Sequence, residues 1–199
     1  MIENEVAVVI ERAPQVGRRV SNVSETSPRD SRLRRYWDRQ APSYDRRMAY
    51  SERRFLAPSR PWLCGQAVGD TLEVAIGTGL NIGHYPGDVQ LTGVEWSASM
   101  LSMARRRAED LSRPVDLRHG DARALTFPDD HFDTVVCTFS LCGIPTSRLA
   151  LGVLPKALRP GGLLLLAVHV TASPLTVRRL PTLLVVGPLP LPHRPHSRL

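Results

Sequence analysis

Apolar and polar positions alternate in blocks along residues 61–177, and the blocks predict strands that take turns with helices. Five runs rich in Leu, Val and Ile have the length and composition of buried strands. They are Leu72–Ile76, Leu91–Trp96, Val115–Arg118, Phe132–Leu141 and Leu163–Val170. Apolar residues at helical spacing predict helices over Asn81–Tyr85, Ser97–Leu111 and Thr146–Leu158. The alternation implies an α/β fold with a doubly wound parallel sheet of five strands.

The segments on either side of this block have different patterns. Residues 1–30 are mostly polar apart from one short apolar run, Val6–Ile10, and we expect a flexible arm there. Residues 31–60 combine aromatic residues with arginines at a spacing that predicts a helical cap, made of two short amphipathic helices broken at Pro42. Residues 178–199 form an irregular tail, because proline at this density excludes a regular helix or a central strand.

The net charge of +7 raises the question of a nucleic-acid partner. The distribution of the charged residues along the chain argues against one. Residues 1–133 carry 19 basic and 19 acidic side chains, whereas the remainder carries seven basic and no acidic ones. Aromatic residues do not alternate with basic ones in that last third, so we expect no nucleic-acid partner. Three cysteines without metal-ligand spacing, no signal peptide and no apolar run of about 18 residues favour a cytoplasmic protein with no metal and no integral membrane segment.

A glycine turn follows the first predicted strand, which ends in Gly77-Thr78-Gly79. A strand, a tight glycine turn and a helix together bring backbone N–H groups and a helix N-terminus close to a ligand. The phosphate-binding pattern G-x-G-x-x-G is not completed, because Asn81 and Ile82 stand where it would continue, and no P-loop lysine follows. The turn alone therefore predicts a nucleoside-type site.

Residues at the ends of the next two strands narrow this prediction. Glu95 lies 16 residues after Gly79, the distance of one crossover, and a carboxylate there can accept hydrogen bonds from both hydroxyls of a ribose. Asp121, after the third strand, is placed to accept from an exocyclic amine such as that of adenine. Trp96 and Met100 are suited to packing against a purine face.

With these motifs in order, the chain resembles the class I S-adenosylmethionine-dependent methyltransferases, in particular the ubiquinone/menaquinone methyltransferase-like small-molecule enzymes. The resemblance runs from about Arg35 to about Arg178. It rests on Leu72–Gly79, Gly93–Ser97 with Met100-Leu101, Gly120–Ala122 with Leu125, Phe127-Pro128 and Phe132-Asp133, and Leu158–Gly162, and on a cap-like segment at Tyr36–Asp38 and Ala41–Asp45. It implies a Rossmann-like methyltransferase fold.

The resemblance also implies S-adenosylmethionine as cofactor and a small-molecule or lipid-like methyl acceptor. The cofactor-binding residues expected on this basis are Tyr44, Ala75, Gly77, Thr78, Gly79, Glu95, Trp96, Met100, Asp121, Ala122 and Cys137. Ala75 stands where the family usually has glycine, and because alanine is small we expect the turn to survive. Methyl transfer needs alignment more than a dedicated acid or base, so the catalytic assignment stays open, with His169 as the candidate proton acceptor.

The sequence departs from the family after His169. There the family continues with a helix and an antiparallel pair of strands, whereas this chain has six prolines from Thr171 onward. We expect a truncated or frame-shifted C-terminus that leaves the fifth strand near a sheet edge with an uncovered apolar face. At about 25 cal/mol per Å² this would cost several kcal/mol and leave the domain marginally stable.

Three functional hypotheses follow. The first is a methyltransferase, and the alternative is a cofactor-binding remnant without turnover. A nicotinamide dehydrogenase is disfavoured by the incomplete phosphate-binding pattern. The sequence does not identify the acceptor or its attacking atom.

Overall fold

The computed structural model describes residues 4–12, 27–53, 59–145 and 147–171. Within these residues the strands are β1 (Asn4–Arg12), β2 (Asp70–Val74), β3 (Gln90–Glu95), β4 (Asp116–His119), β5 (Phe132–Thr138) and β6 (Leu158–Thr171). The helices are α1 (Pro28–Ser51), α2 (Ser59–Cys64), α3 (Ala98–Asp110) and α4 (Ser147–Ala157). The predicted helix over Asn81–Tyr85 is a single 3-10 turn, Ile82–His84. The proline-rich tail, 178–199, lies outside the described residues.

The strands form one sheet in the order β1-β6-β5-β2-β3-β4, in which β2 to β6 run parallel and β1 runs antiparallel. This confirms the predicted doubly wound, Rossmann-like α/β fold. From β2 the chain moves outward through β3 to β4, and it then crosses back to add β5 and β6 on the other side. The order therefore reverses between β2 and β5, where parallel sheets open a crevice at the carboxyl ends of their strands.

Strand β1 corrects the expectation of a flexible arm. The apolar run Val6–Ile10 lies within β1, which pairs with β6 from Asn4 opposite Thr171 to Arg12 opposite Leu163. An edge strand presents unpaired N–H and C=O groups, and a run rich in β-branched residues is suited to pairing with them. The expectation is therefore wrong for residues 4–12 and for residues 28–30, which begin α1, while 1–3 and 13–26 lie outside the described residues.

The expected uncovered edge is also not found. Strand β6 is paired with β5 on one side and β1 on the other. Its side chains at 164–167 alternate between two apolar clusters: Leu165 packs with Leu63 and Val136, and Leu166 packs with Leu154. Leu165 is fully buried. The expectation of an uncovered apolar face is wrong for these residues, because helices cover both faces of the strand.

Helix α1 is one continuous helix, not two short helices broken at Pro42. Proline lacks an N–H group and costs about 3 kcal/mol inside a helix, so the surroundings must offset this. Contacts on both sides of the proline do so. The Asp38 carboxylate accepts a hydrogen bond from the Ser97 hydroxyl, and the Asp45 carboxylate accepts one from the Thr78 hydroxyl, both at 2.6 Å. The two halves are thereby held against the same domain.

Replacing Leu165 by Ala tests whether the face of β6 is covered. Because Leu165 is fully buried, we expect the free energy of unfolding to fall by about 2–5 kcal/mol. Leu111, which is 50% exposed, supplies the control, and Leu111→Ala is expected to cost less than about 1 kcal/mol. Urea denaturation followed by circular dichroism measures both. Equal and small effects would mean that β6 is not covered.

Candidate functional site

The turn after β2 contains three residues with left-handed backbone. Their φ angles are 55° at Ala75, 62° at Gly77 and 79° at Gly79. Alanine adopts this conformation at a cost of about 1 kcal/mol, and the turn survives as expected. A Cβ at Gly77 would meet nothing within 4 Å, so the backbone there borders open space. A Cβ at Gly79 would lie 2.6 Å from Ile82 Cδ1 and 3.2 Å from Ala104 Cα, so this glycine allows α3 to approach.

The carboxylate of Glu95 joins this turn to the end of β3. Its Oε2 accepts a hydrogen bond from the Gly77 N–H at 3.0 Å, and its Oε1 accepts one from the Ser97 N–H at 2.9 Å. The residue is 5% exposed, and burial raises the pKa of Glu95, while hydrogen bonds from Ser97 and Gly77 oppose that rise. Carboxylate oxygens can accept more than one hydrogen bond, so Glu95 can serve a ligand as well.

A cleft opens at the carboxyl ends of β2, β3 and β5, with α1 above it. The space amounts to about 730 Å³ and is partly open to solvent. It brings together seven of the residues predicted from sequence: Tyr44, Ala75, Gly77, Thr78, Glu95, Trp96 and Met100. The other lining residues are Trp37, Arg60, Ile76, Leu80, Thr138, Phe139, Ser140, Gly143 and Ile144. Gly79 is not among the lining residues.

Asp121 and Ala122 line a smaller cavity of about 280 Å³ beside the cleft. The two spaces share three wall residues, Ala75, Trp96 and Ile144. The Asp121 carboxylate is already paired with the Arg123 guanidinium at 2.7 Å, and Arg123 also binds Asp30 of α1 at 2.9 Å. Asp121 therefore lines the cavity beside the cleft, and its pairing with Arg123 already uses some of the hydrogen bonds that its carboxylate can accept.

Cys137 is placed differently from the prediction. Its side chain is fully buried in the apolar cluster beneath the sheet, and the next residue, Thr138, lines the cleft instead. Strand β5 ends at Thr138, earlier than the predicted Leu141, and successive side chains of a strand point to opposite faces. The backbone of His169 lies in β6 opposite Val6, but its side chain is not among those described, so its role stays a prediction.

Aromatic residues of α1 form the roof of the cleft. Trp37 and Tyr44 both line it, with ring centroids 6.3 Å apart and planes at 73°. Trp37 also lies against Gly143 on the opposite wall, where an added Cβ would approach its ring to 3.3 Å. The roof therefore contacts the domain as well as the space beneath it.

Three aspartates fasten this roof, and sequence reasoning missed their role. Asp30 binds Arg123, Asp38 binds Ser97, and Asp45 binds Thr78 and also pairs with Arg107. Intervals of eight and seven residues bring the three carboxylates to one side of a helix. That spacing was available as a signal in the sequence.

A buried polar network supports the turn from below. The Glu73 carboxylate, 2% exposed, accepts hydrogen bonds from Asn81 Nδ2 at 2.7 Å and from the Tyr85 hydroxyl at 2.8 Å. The Arg60 guanidinium donates to Asn81 Oδ1 at 2.7 Å and pairs with Glu52 at 2.6 Å. Burial raises the pKa of Glu73 to about 7, and the Tyr85 and Asn81 bonds oppose the rise. Sequence reasoning missed this network because separate segments supply its members.

Among the described residues, no three His, Cys, Asp or Glu side chains are grouped so as to hold a metal ion. None of the helices in the described ranges has both the length and the apolar character needed to cross a membrane.

The family described as "Methyltransferase domain" matches residues 72–166. A phosphatidylethanolamine N-methyltransferase of Cereibacter sphaeroides is 39% identical over 103 residues, which is 51% of each chain. A demethylmenaquinone methyltransferase of Renibacterium salmoninarum is 32% identical over 139 residues, 66% of this chain and 56% of that protein. The chain thus spans about half the length of these relatives. Among solved structures, the DhpI–SAH complex matches with a TM-score of 0.60 and 26% identity, covering 69% of this chain and 68% of that one.

The pKa of Glu73 predicts a pH dependence of stability. Its ordinary pKa is 4.5, so between pH 4.5 and about 7 the folded chain holds a proton that the unfolded chain has lost. Stability should therefore fall as the pH rises through this window, by up to about 3 kcal/mol, and then level off. Glu73→Gln removes this titration, so its stability should fall less over the same window.

Urea denaturation of the parent chain and of Glu73→Gln at pH values from about 5 to about 8 measures the difference. Groups remote from Glu73 are common to both proteins, so a difference between the two profiles reports on Glu73 and the groups beside it. Parallel profiles would contradict the elevated pKa.

Proposed function

We propose that this chain, whose residues 72–166 match the family described as "Methyltransferase domain", binds S-adenosylmethionine in the cleft and transfers its methyl group to a small-molecule or lipid-like acceptor. The observation that carries the proposal is the buried Glu95 carboxylate, held at the cleft wall by the N–H groups of Gly77 and Ser97. An anion fixed by backbone groups is pre-oriented to accept hydrogen bonds from a sugar diol.

The residues of the cleft fit this cofactor. Glu95 would hold the ribose hydroxyls, and Trp96 and Met100 supply the apolar and polarizable surface that a purine needs. The adjoining cavity lined by Asp121 and Ala122 would take the adenine edge, with Asp121 accepting from its amine. A ring at Trp96, shared by both cavities, suits a ligand that extends across them.

The other end of the cleft fits the methionine part. Arg60 is the cation that lines the cleft among its described wall residues, and a guanidinium complements a carboxylate. It is fixed there by Glu52 and Asn81. The backbone at Gly77 borders open space in the same cleft that Arg60 and Glu95 line. When bound, S-adenosylmethionine supplies an electrophilic methyl group on a sulfonium.

The chain contributes alignment and exclusion of water. Trp37 and Tyr44 close the roof, and Phe139 and Ile144 add apolar wall. Water kept out of this space does not compete with the acceptor atom, and a dry, fixed geometry favours an in-line displacement. His169 remains the proposed proton acceptor for substrates that must lose a proton.

The acceptor class is proposed from the relatives and from the wall. Similar proteins are a phosphatidylethanolamine and a demethylmenaquinone methyltransferase, both with lipid-like acceptors, and the apolar wall beside Trp37 suits such a molecule. We also propose a cytoplasmic location, in keeping with the buried cysteines Cys64 and Cys137, which are not joined in a disulfide.

Glu95→Gln tests cofactor binding. Loss of a charged hydrogen-bond acceptor to the ribose should weaken S-adenosylmethionine binding about 10- to 100-fold, as measured by titration calorimetry. Glu109→Gln on the exposed side of α3 removes the same charge and should leave affinity unchanged. A thermal scan of each variant confirms that it is folded. Unchanged affinity in folded Glu95→Gln would contradict the proposed ribose contact.

Turnover is tested separately with the full chain. We expect S-adenosylhomocysteine to accumulate when S-adenosylmethionine is supplied together with phosphatidylethanolamine or a demethylated quinol, and not with the cofactor alone. Chromatography of the product measures this. Binding without accumulation for any acceptor of the class would favour the alternative, a cofactor-binding remnant without turnover.

A further inference from the structure

The outward side of α1 carries a stripe of arginines that the proposed function does not use. Four of them follow one another at intervals of three, four and seven residues, so on a regular helix they fall within a sector of about 60°. This arginine stripe consists of Arg32, Arg35, Arg39 and Arg46, all exposed. Arg29, Arg34 and Arg47 of the same helix are exposed as well.

Acidic residues do not neutralise the stripe. The acids of α1 are Asp30, Asp38 and Asp45, and all three are bound to residues of the domain. None of the stripe arginines forms an ion pair with a described residue. The helix therefore separates its charges, with anions turned to the domain and cations turned to solvent. Packing of α1 on the domain requires only the face that carries the aspartates, so packing does not explain the arginine stripe.

The stripe also has aromatic neighbours. Tyr36 is 44% exposed and Tyr50 is 66% exposed, each on the solvent side of α1. Tyrosine at the border of a basic surface is typical of membrane–water interfaces, where the ring enters the headgroup region and the hydroxyl stays hydrated. From Arg32 to Arg46 the stripe extends for about 21 Å, a straight line of positive charge.

A flat anionic surface satisfies this geometry better than a nucleic acid does. Straight, evenly spread cations contact a plane of headgroups along their whole length, whereas single strands are gripped by a groove with stacking platforms. The same helix supplies Trp37 and Tyr44 to the roof of the cleft. A surface bound to the stripe would therefore lie about one helix diameter, roughly 10 Å, from the cleft.

We propose that the arginine stripe of α1 docks the protein on an anionic phospholipid surface. Docking itself depends only on the arginine stripe. Its role, which is to bring the cleft to an acceptor dissolved in lipid, rests on the proposed function. The attachment is peripheral and electrostatic, because the apolar side of α1 is packed on the domain.

Vesicle flotation with the full chain tests the proposal. We expect binding to phosphatidylcholine vesicles that contain one-third phosphatidylserine, little binding to phosphatidylcholine alone, and release at high salt. Arg35→Gln/Arg39→Gln should weaken binding about thirtyfold, since each arginine contributes about a fivefold gain near such a surface. Arg105→Gln/Arg106→Gln, a pair exposed on α3, removes the same net charge and should weaken binding much less.

Three outcomes would overturn the docking proposal. No binding to the anionic vesicles would exclude docking, and equal loss in both pairs would mean that net charge alone is responsible. Stripe-dependent binding of a labelled single-stranded oligonucleotide without vesicle binding would assign the face to nucleic acid. Calorimetry with S-adenosylhomocysteine on the same proteins keeps the two proposals apart, because vesicle binding without cofactor binding contradicts only the proposed function.

Discussion

The carboxylate of Glu95 joins two loops that would otherwise be independent. One oxygen accepts from the N–H of Gly77 after β2, and the other accepts from the N–H of Ser97 at the start of α3. Ser97 caps α3 and also donates its hydroxyl to Asp38 of α1, so the same junction holds the helix above the cleft. A buried anion is costly unless such donors surround it. The cleft exists in this shape because the donors and the carboxylate meet there.

Helix α1 shows how one element can serve the fold and a surface together. Its aspartates fasten it to the domain strongly enough to carry Pro42 through the helix, and its aromatic residues then face the cleft. The stripe arginines form no ion pair with the part of the domain that the structure describes. Such separation of charge on one helix allows the roof to be fixed on the inside while its outer face stays available for binding.

Local patterns predicted strands β2 to β6, the glycine turn and the position of Glu95 at a strand end, because strand ends and crossover lengths follow from sequence spacing. Long-range contacts decided the rest. Pro42 is tolerated only because distant residues anchor both halves of α1, and the partner of Val6–Ile10 is the far strand β6. The misplacement of Cys137 came from a strand boundary, since a strand that ends at Thr138 sends the two side chains to opposite faces.

We propose that Glu95 is the ribose ligand of a cofactor site built on the turn at Gly77. A crystal structure of the full chain with S-adenosylhomocysteine tests it most directly. We predict that both ribose hydroxyls lie within hydrogen-bond distance, about 2.5–3.0 Å, of the Glu95 carboxylate. A nucleoside bound elsewhere, or one bound in the cleft without contact to Glu95, would contradict the account.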